Sequence, residues 1–224
     1  MEIDNYLELE NLLKEVVGKY GNNAAFSSSL SYEDQVITHV IFTLNLPIKV
    51  FTLDTGRMFP ETYAVLTSSR ERYGKNIHVY FPKHEEVQEL LTSKGVSSFY
   101  ESIENRIECC AIRKVEPLNR ALEGVTCWIT GLRGEHSENR QNLSAYEWDE
   151  KRNLQKVNPL INWTFEEVKV IIKKYTIPYN VLHDKGFVSI GCQPCTRAIN
   201  EGENFRAGRW WWENSEKKEC GLHG

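Results

Sequence analysis

The chain has 224 residues, of which 41% are hydrophobic and 26% charged, and a formal net charge of −4. That is enough apolar material for one sizeable core, and the acidic balance argues against a general nucleic-acid binder. No run approaches the roughly 18 consecutive apolar residues of a membrane span. The stretch Met1–Glu10 is acidic rather than basic and then apolar, so the sequence reads as cytoplasmic with reduced thiols.

In chain order, Leu7, Leu9, Leu12, Leu13 and Val16 recur at three- and four-residue spacing and predict an amphipathic helix over residues 4–18. Ala24-Ala25-Phe26 predicts a short strand that meets the polar run Ser27–Ser31, and a helix follows through Gln35, Val36, Ile37, Val40, Ile41 and Leu44. Ile48–Leu53 reads as a second strand ending at Asp54-Thr55-Gly56-Arg57, with another helix after it. Ile77–Phe81 reads as a third strand closed by Pro82. The segment Arg106–Arg120 is compatible with a helix that Pro117 kinks or breaks. Gly124–Thr130 is an apolar strand ending at Gly131, and Thr164-Phe-Glu-Glu167 is a capping box that opens a helix through Lys174. Strands separated by helices of about 10–15 residues indicate βαβ units. The predicted fold is α/β, a doubly wound and mainly parallel sheet with its site at the carboxyl ends of the strands.

That topology directs attention to the segments after the strands. Ser27, Ser28, Ser29 and Ser31, set just before a helix, can offer hydroxyl and backbone N–H donors to an oxyanion. Equally, Ser31 with Asp34 fits an ordinary helix-capping box. Asp54-Thr55-Gly56 reads either as a loop that contacts a ribose or base, or as a turn that caps the next helix.

Five of the six cysteines fall into three clusters: Cys109-Cys110, the CxxC pair Cys192 and Cys195, and Cys220 near the chain end. Neighbouring Cα atoms lie about 3.8 Å apart, below the roughly 4.4 Å at which disulfides begin, so a vicinal disulfide would be strained. Two close thiol pairs suit zinc or an iron–sulfur cluster, although a lone CxxC can also be a redox dithiol. Cys127, inside a strand, reads as a small buried hydrophobe. Lys217, Lys218 and His223 lie within three residues of Cys220 and can favour its thiolate, and Gly221 and Gly224 give that segment freedom. Arg113, Lys114, Arg197, Arg206 and Arg209 concentrate around the cysteines, where thiolates and an anionic ligand would both gain from cations. Trp210, Trp211 and Trp212 suit base stacking or core packing.

Together these motifs carry a resemblance. Cys109-Cys110-Ala-Ile-Arg113-Lys114-Val-Glu-Pro117, Cys192-Gln-Pro-Cys195-Thr-Arg197, Gly208-Arg209-Trp-Trp-Trp-Glu213 and Glu219-Cys220-Gly-Leu-His223 resemble the assimilatory adenylyl-sulfate reductase family in its iron–sulfur branch. Ser27-Ser28-Ser29 with Glu33-Asp34-Gln35, and Asp54-Thr55-Gly56-Arg57 with Phe59-Pro60-Glu61-Thr62, are similar to its N-terminal half. The resemblance implies an adenine-nucleotide α-hydrolase-like fold over residues 1–212 and a mobile tail, residues 213–224. It implies reduction of adenylyl sulfate to sulfite and AMP, with Cys109, Cys110, Cys192 and Cys195 holding a 4Fe-4S cluster and Cys220 as the nucleophile. It also implies that Lys114, Arg206 and Arg209 face the phosphosulfate, and that Ser27, Ser28, Ser29, Asp54, Thr55, Gly56 and Gly131 hold the adenosine part. Thioredoxin or a glutaredoxin-like donor would be the reductant, and a homo-oligomer is compatible with these features. Ser31 stands where many relatives would be expected to carry glycine. The competing readings are a 3′-phosphoadenylyl-sulfate or dual-substrate reductase, an adenylylating pyrophosphatase that should carry a Ser-Gly-Gly loop, and a zinc-stapled binding module.

Overall fold

The structure, a computed structural model, describes residues 2–136 and 144–213. The first predicted helix is α1, Glu2–Tyr20, which buries Leu9, Leu13 and Val16 and leaves Leu7 exposed. Strand β1, Ala24–Ser27, leads to α2, Tyr32–Thr43, and β2, Lys49–Leu53, leads to α3, Pro60–Tyr73. Strand β3, His78–Tyr80, is followed by α4, His84–Lys94, a helix absent from the sequence reading. Its apolar positions are few and only Leu90 is buried, so the pattern carried little signal.

The stretch predicted as one helix around the first cysteine pair resolves into three pieces: α5, Ile103–Cys110; a π turn, Ala111–Val115; and α6, Glu116–Ala121. Pro117 sits in the first turn of α6, where its missing N–H costs no helical bond. The break therefore falls as a π turn before the proline. That widened turn carries Arg113 and Lys114.

Strand β4, Cys127–Ile129, is fully buried. Two further strands, β5 (Tyr146–Asp149) and β6 (Leu154–Val157), were not foreseen, and α7, Phe165–Lys174, opens with both halves of the predicted capping box. The sheet order is β3-β2-β1-β4-β6-β5. Strand β1 pairs in parallel with β2 and β4, β4 pairs in parallel with β6, and β5 runs antiparallel to β6. The doubly wound, mainly parallel sheet is thus present. The order reverses at β1 and β4, the switch point at which such folds bind ligands.

The chain divides into two compact units. The first, Met1–Thr52, Pro60–His78 and Gly124–Val181, has a wholly apolar core that includes Leu13, Phe26, Val36, Ile41, Ile129, Val157 and Ile171. The second, Leu53–Phe59, Val79–Glu123 and Leu182–Gly224, gathers Phe99, Cys110, Cys192, Cys195 and Trp210 instead. No helix among the described residues is long and apolar enough to cross a membrane.

Candidate active site

Both cysteine pairs of the second unit line one small cavity, together with Arg57, Phe99, Arg106, Arg113, Lys114 and Trp210. Cys109 and Cys110 end α5, and Cys192 and Cys195 bracket a single tight turn, Gln193–Cys195. All five described cysteines, Cys127 included, are free thiols. Cys127 is fully buried in β4, and burial pushes its thiol up to about 12, so it is inert.

The Asp54–Arg57 loop builds one wall of this cavity. The Asp54 carboxylate accepts from the N–H of Gly56 at 2.8 Å, a turn that requires the positive φ of 70° that glycine supplies. The loop then turns its polar groups on its neighbours. Arg113 Nη1 donates to the Thr55 carbonyl at 2.6 Å, the Gln193 N–H donates to the Arg57 carbonyl at 2.8 Å, and Thr55 Oγ1 lies 3.2 Å from Cys192 Sγ. Arg57 also stacks over Phe99, with Cζ 4.8 Å from the ring centre. The described hydrogen bonds of Thr55 and Gly56 therefore stay within the cysteine unit.

Cations shape the thiols. Burial alone would raise Cys192, but Lys114, the Thr55 hydroxyl, Arg209 and Arg113 outweigh it and hold the thiol below its ordinary value. Cys195 is driven up to about 12 by burial and by the neighbouring Cys192 charge. Cys109 is raised by burial, against Arg113 and Arg57. The site thus favours the Cys192 thiolate and resists those of Cys109 and Cys195 until something offsets their charge.

Arg209 packs close to Cys192 and Cys195 because two glycines leave room. A Cβ on Gly191 would lie 2.3 Å from the Arg209 guanidinium, and one on Gly208 would lie 2.3 Å from the Arg197 carbonyl. The 197–208 loop is closed by Arg197 N–H donating to the Gly208 carbonyl and by Arg197 gripping Glu203. Arg106, Arg206 and Arg209 all lie over Trp210, with Cζ at 4.6, 5.8 and 4.8 Å from the ring. Arg106 also makes a two-bond ion pair with Glu213, and both side chains are buried. Three buried N–H groups beside these cysteines, Arg113 Nε, Arg209 Nε and Trp210 Nε1, have no acceptor among the described residues. Four thiols, buried cations and unmatched donors around one void fit an anionic, sulfur-rich group that is held by thiolates and can accept N–H bonds. Among the described residues, no three His, Cys, Asp or Glu side chains are gathered closely enough for one metal ion.

Ser27, Ser28, Ser29 and Gly131 belong to the first unit. Ser31 is the N-cap of α2 but makes no side-chain cap bond; its φ of −79° and ψ of 174° suit any residue, so it needs no glycine. The positive φ falls instead on Leu30, at 62°. The expected Ser31–Asp34 capping box does not form, because the Asp34 carboxylate turns back to accept from Ser29 N–H at 2.5 Å and from Ser29 Oγ at 2.6 Å. Asp34 is buried, and burial drives its carboxyl up to about 7 against those bonds. A Cβ on Gly131 would meet Asp34 Oδ1 at 1.9 Å, so that glycine is required by the carboxylate. Beside it, buried Arg133 pairs with Glu33 at 2.8 Å.

Of the residues singled out in the sequence, Cys109, Cys110, Cys192, Cys195 and Lys114 line one cavity, Arg209 lies close enough to act on Cys192 and Cys195, and Arg206 and Arg209 both stack on Trp210. The sequence reading missed Thr55 as a thiol partner, Arg57, the Arg106–Glu213 pair and Asp34. Buried arginines are rare unless paired, so Arg106 beside a cysteine pair was the available signal. Cys220 lies outside the described residues.

Residues 23–198 match the Phosphoadenosine phosphosulfate reductase domain. A curated Adenosine 5'-phosphosulfate reductase from Burkholderia cepacia is 47% identical over 215 residues, spanning 96% of this chain and 86% of that protein. One of the same name from Allochromatium vinosum is 48% identical over 202 residues, spanning 90% and 79%. Among solved structures, a phosphoadenylyl-sulfate reductase from Candida auris, in a phosphate complex, is similar with a TM-score of 0.72 at 30% identity, over 85% of this chain and 90% of that one.

Proposed function

This chain belongs to the phosphoadenosine phosphosulfate reductase family and reduces adenylyl sulfate to sulfite and AMP in sulfate assimilation; we propose that Cys220 receives the sulfonate and that Cys109, Cys110, Cys192 and Cys195 hold a 4Fe-4S cluster. The observation that carries the cluster is the convergence of four free thiols on one cavity also lined by Arg57, Arg106, Arg113 and Lys114. Two close thiol pairs around one cavity suit a polynuclear iron–sulfur group, and buried arginine N–H donors beside them suit its sulfur acceptors. When bound, such a cluster supplies local charge and sulfur acceptors for the unmatched Arg113, Arg209 and Trp210 donors.

In the proposed reaction the Cys220 thiolate attacks the sulfate sulfur of adenylyl sulfate. The S–O bond to the phosphate breaks, AMP leaves with the electron pair, and S-sulfocysteine remains. Lys114, Arg206 and Arg209 offset negative charge on the sulfate and on the departing phosphate. A donor dithiol, from thioredoxin or a glutaredoxin-like protein, then attacks Cys220 Sγ and expels sulfite. Its second thiol resolves the mixed disulfide, so the dithiol gives up the two electrons. The Ser27–Ser29 loop, Asp54–Gly56 and Gly131 are proposed to hold the adenosine part. The cytoplasm, where such donors stay reduced, is the proposed compartment.

Protein incubated with adenylyl sulfate without reductant should gain the mass of one sulfonate on Cys220; no adduct, or one that survives in Cys220→Ser, defeats the nucleophile assignment. Iron and acid-labile sulfide should each approach four per chain after anaerobic purification. One zinc with neither iron nor sulfide defeats the cluster. Sulfite release from adenylyl sulfate should exceed that from its 3′-phosphorylated form, the substrate class named for the 30% identical Candida auris protein.

A further inference from the structure

The three loop serines do different work. Ser29 spends both its N–H and its hydroxyl proton on Asp34, and buried Ser28 accepts from the Leu30 N–H at 3.1 Å. Half-buried Ser27, at the carboxyl end of β1, accepts at its Oγ from the indole Nε1–H of Trp128 at 2.8 Å. A hydroxyl that accepts on one side keeps its proton for a partner elsewhere.

Trp128 is built to make that donation. It lies in β4 directly across from Ala25, whose small side chain lets the indole run along the sheet face to reach Ser27, two residues on and on the same face. Its ring is 1% exposed. Arg152 Cζ lies 5.3 Å and Lys156 Nζ 5.8 Å from the ring centre, with Asp149 holding the arginine and Glu147 the lysine. Cations over an indole face fix its orientation by attraction to the ring quadrupole. Hydrophobic packing alone would require neither the bond nor the paired cations.

We infer that Trp128 is a positioning residue for the nucleotide: by filling the acceptor side of Ser27 Oγ, it turns the Ser27 proton outward as a donor to a phosphate-type oxygen. This rests on the proposed reading that the Ser27–Ser29 loop binds the nucleotide, and refines it: Ser27 meets the phosphate rather than the adenosine part. Neither the family motifs quoted above nor the cysteine chemistry assigns Trp128 a role.

The test is calorimetric binding of AMP and of adenosine to the intact, cluster-loaded protein and its variants. Ser27→Ala and Trp128→Phe should each weaken AMP about fivefold to tenfold, the size of one hydrogen bond to a charged group, and leave adenosine almost unchanged. The double variant should be no weaker than either single one, because both remove the same bond. Trp128→His, which restores a ring N–H, should recover part of the loss. Additive losses, equal losses for AMP and adenosine, or unchanged AMP binding in Trp128→Phe overturn the inference. If Ser27→Ala itself leaves AMP binding unchanged, the loop reading falls and takes the inference with it; if only Trp128→Phe is silent, the loop reading stands.

Discussion

The two units of this chain are held together by different physics. The first buries an apolar core of ordinary composition, in which Leu13, Phe26, Val36, Ile37, Ile129 and Val157 are all essentially inaccessible. The second buries cysteines, a tryptophan and four cations where a core should be, with the side chains of Arg106, Arg113, Lys114 and Arg209 all under 9% exposed. Burying a cation is expensive unless opposite charge comes with it. The first unit also buries cations, Arg133 and Lys156, but pairs them with Glu33 and Glu147, whereas in the second the proposed cluster would supply opposite charge beside Arg113, Lys114 and Arg209.

The sharpest break of that contrast is Cys192→Ser. Cys192 is the thiol most biased toward its charged form, so its loss should empty the cavity of iron and lower activity by about 100-fold or more. Amide exchange should then accelerate throughout 95–115 and 185–213, while β1, β4 and α7 keep their protection. Uniform acceleration in both regions would refute the contrast.

Next in size is the Arg106–Glu213 pair. Removing one partner of a buried ion pair commonly costs about 3–5 kcal/mol, because the other is left charged and unmatched. Arg106→Ala and Glu213→Ala should each lower the urea midpoint by comparable amounts. Arg106→Met with Glu213→Leu should recover much of it, since an apolar pair leaves no stranded charge. A milder effect is expected in the first unit. Ile171→Ala, a core truncation, should cost about 2–4 kcal/mol without changing iron content.

Legibility in the sequence follows the same division. The apolar periodicity of α1 and α2 and the apolar runs of β1, β2 and β4 foretold the first unit, because its core is made of the residues those patterns track. The capping box of α7 was readable for the same local reason. The cysteine spacing pointed to a metal-type site, but not to Thr55, Arg57 or Glu213, which reach it across 137, 136 and 107 residues by hydrogen bonds that have no period. β5 and β6 escaped because they are four residues each and mix Glu, Asp, Gln and Lys with their apolar positions. Ser31 with Asp34 offered a capping-box reading beside the anion-binding one, because capping boxes are local. The actual partner of Asp34, Ser29, lies on the other side of the N-cap, in a geometry set by Gly131 from a different strand.

The finest prediction concerns two titrating groups of the first unit that act in opposite directions. Burial holds His39 down to about 4, so as pH falls through about 6.5 the unfolded chain takes up a proton first and stability declines until about pH 4. Burial holds Asp34 up to about 7, so as pH falls the native chain takes up the proton first and stability rises between about 7 and 4. Each slope is at most about 1.4 kcal/mol per pH unit, and over the shared window they offset one another. Relative to the parent protein, His39→Gln should therefore gain stability from pH 7 to 4.5, and Asp34→Asn should lose it over the same range. Urea midpoints at half-unit pH steps measure both, and parallel curves for the two variants would show that neither carboxyl nor imidazole is buried as described. The opposition also bears on function: a neutral Asp34 accepts the two Ser29 bonds, both at Oδ2, more weakly than a carboxylate does. Nucleotide affinity should thus change around pH 7 in the parent protein and lose that dependence in Asp34→Asn.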